Sequence, residues 1–337
     1  LADLSSRGTA SPALAGAEAR SRPALPLAIP VLVLVALAAC LLFLTLGARG
    51  DWSFVLTLRG GRLAAMVIVA HAVAVSTVVF QTIAGNRILT PSIMGFDALY
   101  ALIQTVLVFL AGAAFAATLD PRVLFVGEVA ALVVFAGLLY GTLLSAGARD
   151  LHRLLLVGII LGVLFRSLAG LLQRLIDPNE FVVLQDRLYA SFGAVPPGLL
   201  AVSAAIVLAA SLAVWRLRRV LDVLALGRER SIALGVDHRR LVFLVLALVA
   251  VLVSVSTALV GPVTFFGLLV AALATSLVGG RSHALLLPAA SLVAIVCIVG
   301  GQTILERLLG FDGALGMVVE FVGGLVFLAL LLRKGIA

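Results

Sequence analysis

The stretch Phe80-Gln-Thr-Ile-Ala-Gly-Asn-Arg-Ile-Leu-Thr-Pro-Ser-Ile-Met-Gly-Phe-Asp97 sets amides, hydroxyls, a carboxylate, a proline and two glycines between two long apolar runs. Gln81 and Asn86 have two readings: they line a path for a polar solute, or they cap the ends of a broken helix by hydrogen bonding. Pro91 and Gly95 shape the turn, Asp97 is placed to N-cap the following helix, and Thr90 and Ser92 can cap locally. A second unusual group is Arg166, set deep in Gly162-Val-Leu-Phe-Arg-Ser-Leu168. An arginine inside a membrane is costly unless it is hydrated or paired. It either faces a water-filled cavity, where it would attract an anion, or it snorkels or pairs with an embedded acid, for which Glu128 and Glu320 are the candidates.

None of this is the chemistry of an enzyme. The four histidines are scattered, and no His/Cys/Asp group has metal-ligand spacing. Cys40 and Cys297 sit singly in separate apolar runs and read as small buried hydrophobes. No Gly-rich phosphate loop ends in Lys-Ser/Thr, so any nucleotide hydrolysis must come from a partner. The formal charge of +8 follows from where loops meet a membrane and does not point to nucleic acid.

The elements that hold these residues are membrane spans. The chain is 63% apolar and 12% charged, with mean hydropathy +1.25, beyond what a soluble domain of 337 residues needs. Ten apolar runs are expected to cross: 27–46, 63–83, 98–118, 123–144, 153–173, 196–215, 241–260, 264–279, 284–304 and 314–332. The eighth is short, and the second, third and eighth carry Gly or polar residues able to break them. Residues 1–25, rich in Ala, Ser, Arg and Pro, read as a disordered tail, and 26–334 as one transmembrane domain. Most of the 24 basic residues fall on the N-terminal side of this arrangement, which predicts both termini in the cytoplasm, although Arg49, Arg59 and Arg62 cluster outside.

Trp215–Arg240 is the main internal hydrophilic segment. Leu221, Leu224 and Leu226, with Val223, can form one apolar edge of a short helix ended by Gly227. A second short helix runs from about Glu229 to Leu234 and ends at Gly235. Two short helices with apolar faces need the membrane surface or a partner protein. They are either interfacial connectors or a docking element for a cytoplasmic motor.

This loop resembles the coupling region of FecCD-type permeases, the membrane subunits of bacterial ABC importers for iron–siderophore, haem and cobalamin. The matching residues are Leu226-Gly227 and Ala233-Leu234-Gly235-Val236, with Ser231 where the family often has Ala or another small residue. Gly261-Pro262-Val263-Thr264-Phe265-Phe266-Gly267-Leu268 is similar to the family's Gly-Pro-Ile-x-Phe-x-Gly-Leu run. Arg59 and Arg62 resemble its Arg-x-x-Arg pair before the second span, and Leu325 to Leu332, preceded by Phe321-Val322-Gly323-Gly324, resembles its last span. Departures exist: Ala271-Ala272 stands where many relatives have Pro-His, and Asn86-Arg87-Ile88-Leu89 replaces an Arg-Asn-Pro-Leu run. The 80–97 wording is similar to the branch for catecholate-type siderophores such as petrobactin, anguibactin and vibriobactin.

The resemblance implies an all-α polytopic chain with the type II ABC importer permease fold, in a bacterial inner membrane. It implies partners: a second, non-identical permease chain, two ABC ATPases that hold ATP and Mg, and an extracytoplasmic substrate-binding protein. No cofactor would be bound by this chain, and the cargo would be ferric siderophore, with haem or cobalamin as the alternative. Coupling to the ATPase would fall to Leu221, Leu224, Leu226, Gly227, Ala233, Leu234 and Gly235, the pathway to Gln81, Asn86 and Arg166, and binding-protein docking to Arg59 and Arg62, for which ordinary interfacial anchoring is the other reading. Pro91, Gly95, Gly261, Pro262 and Gly267 would be structural. A secondary transporter would instead need no ATPase and would depend on Glu128 or Glu320.

Overall fold

A computed structural model describes residues 25–48, 51–145, 151–193, 195–279, 282–307 and 310, with scattered positions from there to 329. Residues 1–24 of the expected tail, most of the tenth span and Glu320 lie outside the described residues, and Leu25 opens α1. Within them the chain is helical: α1 Leu25–Thr45, α2 Trp52–Ala84, a 3-10 helix Pro91–Met94, α3 Phe96–Ala111, α4 Ala113–Thr118, α5 Pro121–Ser145, α6 Leu151–Gln173, α7 Pro178–Leu188, α8 Pro197–Arg216, α9 Arg218–Leu224, α10 Arg228–Ala233, α11 His238–Val260, α12 Phe266–Val278 and α13 His283–Arg307. Seven of these, α1, α2, α5, α6, α8, α11 and α13, are long and apolar enough to cross a membrane, while α3 and α12 are shorter apolar helices.

Three departures from the apolar-run reading have local causes. First, α2 begins at Trp52, N-capped by Asp51, and its 33 residues span about 50 Å, more than a bilayer core requires. Second, the third expected span is two helices, because Gly112 (φ 81°) breaks the chain between α3 and α4. Third, the segment between the expected spans 153–173 and 196–215 holds a short amphipathic helix, α7. Its signal was present in Asp177-Pro178: Asp177 accepts the Asn179 N–H, and Pro occupies the first helical turn.

The centre of the bundle is α2, which packs against both α11 and α13. Its buried residues include four alanines (Ala65, Ala70, Ala72, Ala74), whose small side chains let neighbouring backbones approach closely. A polar clasp crosses this core: His71 of α2 bonds Ser291 of α13 through Nδ1 and Ser211 of α8 through Nε2, each at 2.9 Å. Both ring nitrogens are thereby satisfied away from water. The outer helices expose Leu and Val instead: Leu34, Leu37 and Leu41 on α1, Val134 and Leu138 on α5, Leu208 and Leu212 on α8. Apolar side chains facing outward on long helices fit a lipid environment.

Candidate functional site

The polar break is built by local rules. Helix α2 ends at Gly85, whose left-handed backbone (φ 59°) a side chain would strain. Asn86 Oδ1 then accepts the Ile88 N–H at 2.9 Å, a turn closed by its own side chain. Gln81, buried one turn before the helix end, donates from Nε2 to the Arg87 carbonyl at 2.7 Å and folds the loop back onto α2. Of the two readings for Gln81 and Asn86, helix-end and turn hydrogen bonding is the one these contacts describe. Pro91 opens the 3-10 helix, which Gly95 (φ 97°) closes while also starting α3. Gly95, not Asp97 as expected, therefore holds the N-cap position, and Asp97 lies inside the first turn of α3.

Asp97 serves a longer connection. Its Oδ2 accepts from Thr264 Oγ1 at 2.8 Å. The break after α2 and the Gly261–Leu268 motif, far apart in sequence, thus meet face to face. Gly261 (φ 96°) caps α11, Pro262 turns the chain away, and the Ser191 N–H bonds the Val260 carbonyl at 2.8 Å. A Cβ on Gly261 would press on the Ala190 backbone at 3.3 Å. Helices α3 and α12 are short because both start here, inside the helical body. Asp97 lies in the first turn of α3 and accepts from Thr264, two residues before the start of α12. A cavity of about 20 Å³, room for one water, lies between the motifs, lined in part by Ser76, Thr77, Thr90 and Ser256.

The break also seats on α6. Cβ atoms built on Gly95 and Gly162 would each lie 3.1 Å from the other residue's Cα, and one on Gly158 would lie 3.1 Å from Met94. The four-residue spacing of Gly158 and Gly162 makes a groove on α6 into which the 3-10 helix fits. One turn on, Arg166 is exposed beside Val163, Ser167 and Leu168, within electrostatic reach of Asp97. Below it, Ser167, Gly170, Gln173 and Arg174 line an open hollow of about 680 Å³.

Glu128 is not the partner of Arg166. It is buried on α5, accepts a short bond from Gln104 Nε2 of α3, and has Arg187 of α7 as its nearest positive influence. This group borders a separate hollow of about 360 Å³ that also includes Tyr100, Asp186 and Ser191.

Arg59 and Arg62, read as binding-protein docking residues or interfacial anchors, both make contacts within the chain. The Arg59 guanidinium donates to the carbonyls of Phe43, Leu44, Leu46 and Gly47, at 3.0–3.3 Å. These are orphan acceptors at the C-terminus of α1, where a cation is also favoured by the helix dipole. Arg62 donates from Nε to the Gly193 carbonyl at 3.0 Å and approaches Glu306 of α13 at 3.6 Å. Between Arg59 and Arg62, α2 runs through Gly60 and Gly61 without a break.

The Gly-punctuated pair forms as α9 and α10, with Gly227 (φ 93°) and Gly235 (φ 80°) in backbone regions that favour glycine. Leu221 and Leu224, expected to face a partner, are instead buried in the chain's own core, because α9 lies across the ends of α2 and α13. The outward surface consists of Leu226, Ile232, Ala233 and Leu234, ringed by Arg228, Glu229 and Arg230. Ser231 is buried and bonds His238 Nδ1 at 2.9 Å, tying α10 to the start of α11. Sequence reasoning missed Asp222, which caps another helix from this loop: its Oδ1 accepts both the backbone N–H of His283 (2.8 Å) and its Nδ1 (2.6 Å).

Comparison with known proteins places this geometry. The model of the FecCD transport family matches residues 35–333. The chain is 42% identical over 285 residues to the petrobactin import system permease protein YclO of Bacillus subtilis, covering 85% of this chain and 90% of that one. It is 34% identical over 270 residues to the petrobactin import system permease protein FatC of Bacillus anthracis, covering 80% and 76% respectively. A solved metal-chelate type ABC transporter in an inward-facing conformation superposes with a TM-score of 0.78 at 25% identity, covering 91% of this chain and 99% of that chain. The all-α type II ABC importer permease fold is the architecture observed.

Proposed function

We propose, from the premise that this chain belongs to the FecCD transport family, that the cargo it passes is a ferric siderophore of the catecholate, petrobactin-like class. Membership makes it a multi-pass membrane transport subunit and not itself an ATPase. Permeases of this family work with ATPase and substrate-binding components. For this chain we assign a second, non-identical permease, two ATPases that hold ATP and Mg, and an extracytoplasmic binding protein. The setting is the bacterial inner membrane, with α9 and α10 on the cytoplasmic side.

The observation that carries this reading is Arg166, an exposed cation on a long apolar helix. Such a side chain is costly against lipid. A face carrying it is better matched to a water-filled space between two permeases, with the hollow at Ser167–Arg174 beside it. A ferric catecholate complex carries several negative charges, and a basic wall attracts it without a covalent step. The Gly95–Gly162 seat links that wall to the polar break, so a tilt of α6 moves both together.

Mechanistically, the chain's part is displacement. Leu226, Ile232 and Leu234 offer an apolar knob to the ATPase, with Gly227 and Gly235 fixing its turns. Motion of that knob reaches the spans through α9, and the cavity opens to alternate sides. The irregular backbone at 90–95 and 261–264, buried or half-buried, is tolerated because it packs in protein, whereas 85–87 are exposed.

Uptake of radio-iron complexes into iron-starved cells, wild type against a deletion of the gene, tests the reading. The panel is a catecholate, a hydroxamate, haem and cobalamin. Loss confined to the catecholate is expected. Loss of haem or cobalamin uptake alone would overturn the cargo and keep the importer.

A further inference from the structure

Asp222, His283 and Thr82 form a hydrogen-bonded chain across three helices. Asp222 lies on α9 between Leu221 and Leu224, with about a third of its side chain exposed. Its Oδ1 takes both donors of His283, the first residue of α13. On the far side of the buried ring, Nε2 lies 2.7 Å from Thr82 Oγ1 of α2, and that hydroxyl is also 2.9 Å from the Val78 carbonyl. With Nδ1–H on the carboxylate, Nε2 accepts from Thr82, or on a doubly protonated ring donates to it.

We infer that this chain is the tether that passes movement of α9 into α2 and α13, and that Asp222, His283 and Thr82 are positioning residues for coupled transport. This inference rests on the importer reading above. Three observations support it. Asp222 accepts the His283 N–H from another element, so the start of α13 is held by α9 as well as by the Ser282 carbonyl that precedes it. A carboxylate on an N–H donor makes a short, directional bond that resists sliding in a way apolar contact does not. Finally, the tether ends beside the break: Thr82 follows Gln81, the residue that holds the Arg87 carbonyl, and Gly85 lies three positions on. A pull on α9 is delivered to the turn of α2 from which the irregular segment departs. Apolar packing of Leu221 and Leu224 keeps α9 in place, and the polar chain fixes its register against the other two helices.

The test uses the complete complex, both permease chains with the ATPase and binding protein, in proteoliposomes. Iron-loaded petrobactin taken up and ATP hydrolysed are measured together. The variants are Asp222→Ala, Asp222→Asn, Thr82→Val and Thr82→Ser. Thr82→Val keeps side-chain shape and removes only the hydroxyl, so it stands where Asp222→Ala lowers the yield of complex. We expect Asp222→Ala and Thr82→Val to cut cargo moved per ATP about five- to tenfold, the range of a modest coupling energy, while ATP hydrolysis continues. Asp222→Asn, which keeps an acceptor oxygen, and Thr82→Ser should recover most of the ratio. An unchanged ratio in Asp222→Ala or Thr82→Val, or uptake and hydrolysis falling in proportion, overturns the tether and leaves the importer standing. A wild-type complex with no ATP-driven uptake overturns the functional reading and the tether with it.

Discussion

Gly267 rests directly on Thr77: a Cβ at 267 would lie 2.1 Å from Thr77 Oγ1, 3.1 Å from its Cβ and 3.3 Å from its Cγ2. All three atoms of a β-branched side chain crowd the same point, so rotation about χ1 does not clear it. This contact sets α12 against α2 next to the small cavity between the two motifs. Gly267→Ala is predicted to destabilise the folded permease by about 1–3 kcal/mol through overpacking. Thermal unfolding of the purified complex measures it, and Thr77→Ala in the same background should restore part of the loss. An unchanged midpoint for the single variant would contradict the packing described.

Gly95 combines a left-handed backbone with the Gly162 contact. An alanine there meets both a conformational cost of about 1–2 kcal/mol and a backbone that has nowhere to retreat. Gly95→Ala and Gly162→Leu are each expected to lower the yield of folded protein, seen as loss of a monodisperse peak in detergent. Gly85→Ala, which has open space around it, should cost only the conformational part.

Arg166→Ala should leave assembly intact and reduce ferric catecholate uptake by about tenfold, since an attractive charge is lost from the wall of a water-filled space. Arg166→Lys should retain much of the activity and Arg166→Glu the least. Equal uptake by all three variants would remove Arg166 from the pathway.

Arg59→Ala is expected to weaken the α1–α2 junction by about 1–2 kcal/mol, the scale of charge-assisted bonds to a helix C-terminus. Affinity for the binding protein should stay within experimental error of wild type. A binding titration beside a thermal melt separates the two, and a selective loss of binding would return Arg59 to a docking role.

Leu234→Asp and Leu226→Asp alter an exposed surface and should abolish co-purification of the ATPase while the permease still folds. Leu221→Asp and Leu224→Asp place a charge in the core and should instead prevent folding. The opposite pattern would mean that α9 turns over on binding.

Much was legible from residue order because the rules involved are local. Apolar length alone placed nine of the ten expected spans on helices, the tenth lying mostly outside the described residues. Gly227 and Gly235 bounded the helix pair through a backbone preference that needs no tertiary contact. The Pro91–Gly95 turn was visible for the same reason. Even α7 was written in Asp177-Pro178, although its polar face hid it from a search for spans.

Partner choice was decided only in three dimensions. Asp97 reads as a cap until Thr264, 167 positions away, takes its oxygen. Arg59 reads as a free external charge until the end of α1 arrives with four carbonyls. Leu221 and Leu234 are equally apolar in sequence, yet one is buried and the other exposed because α9 lies across α2 and α13. The physical reason is common to all three. Hydrophobic length and glycine geometry act within a few residues, whereas a polar group takes whichever unsatisfied partner the packing of other helices brings within reach.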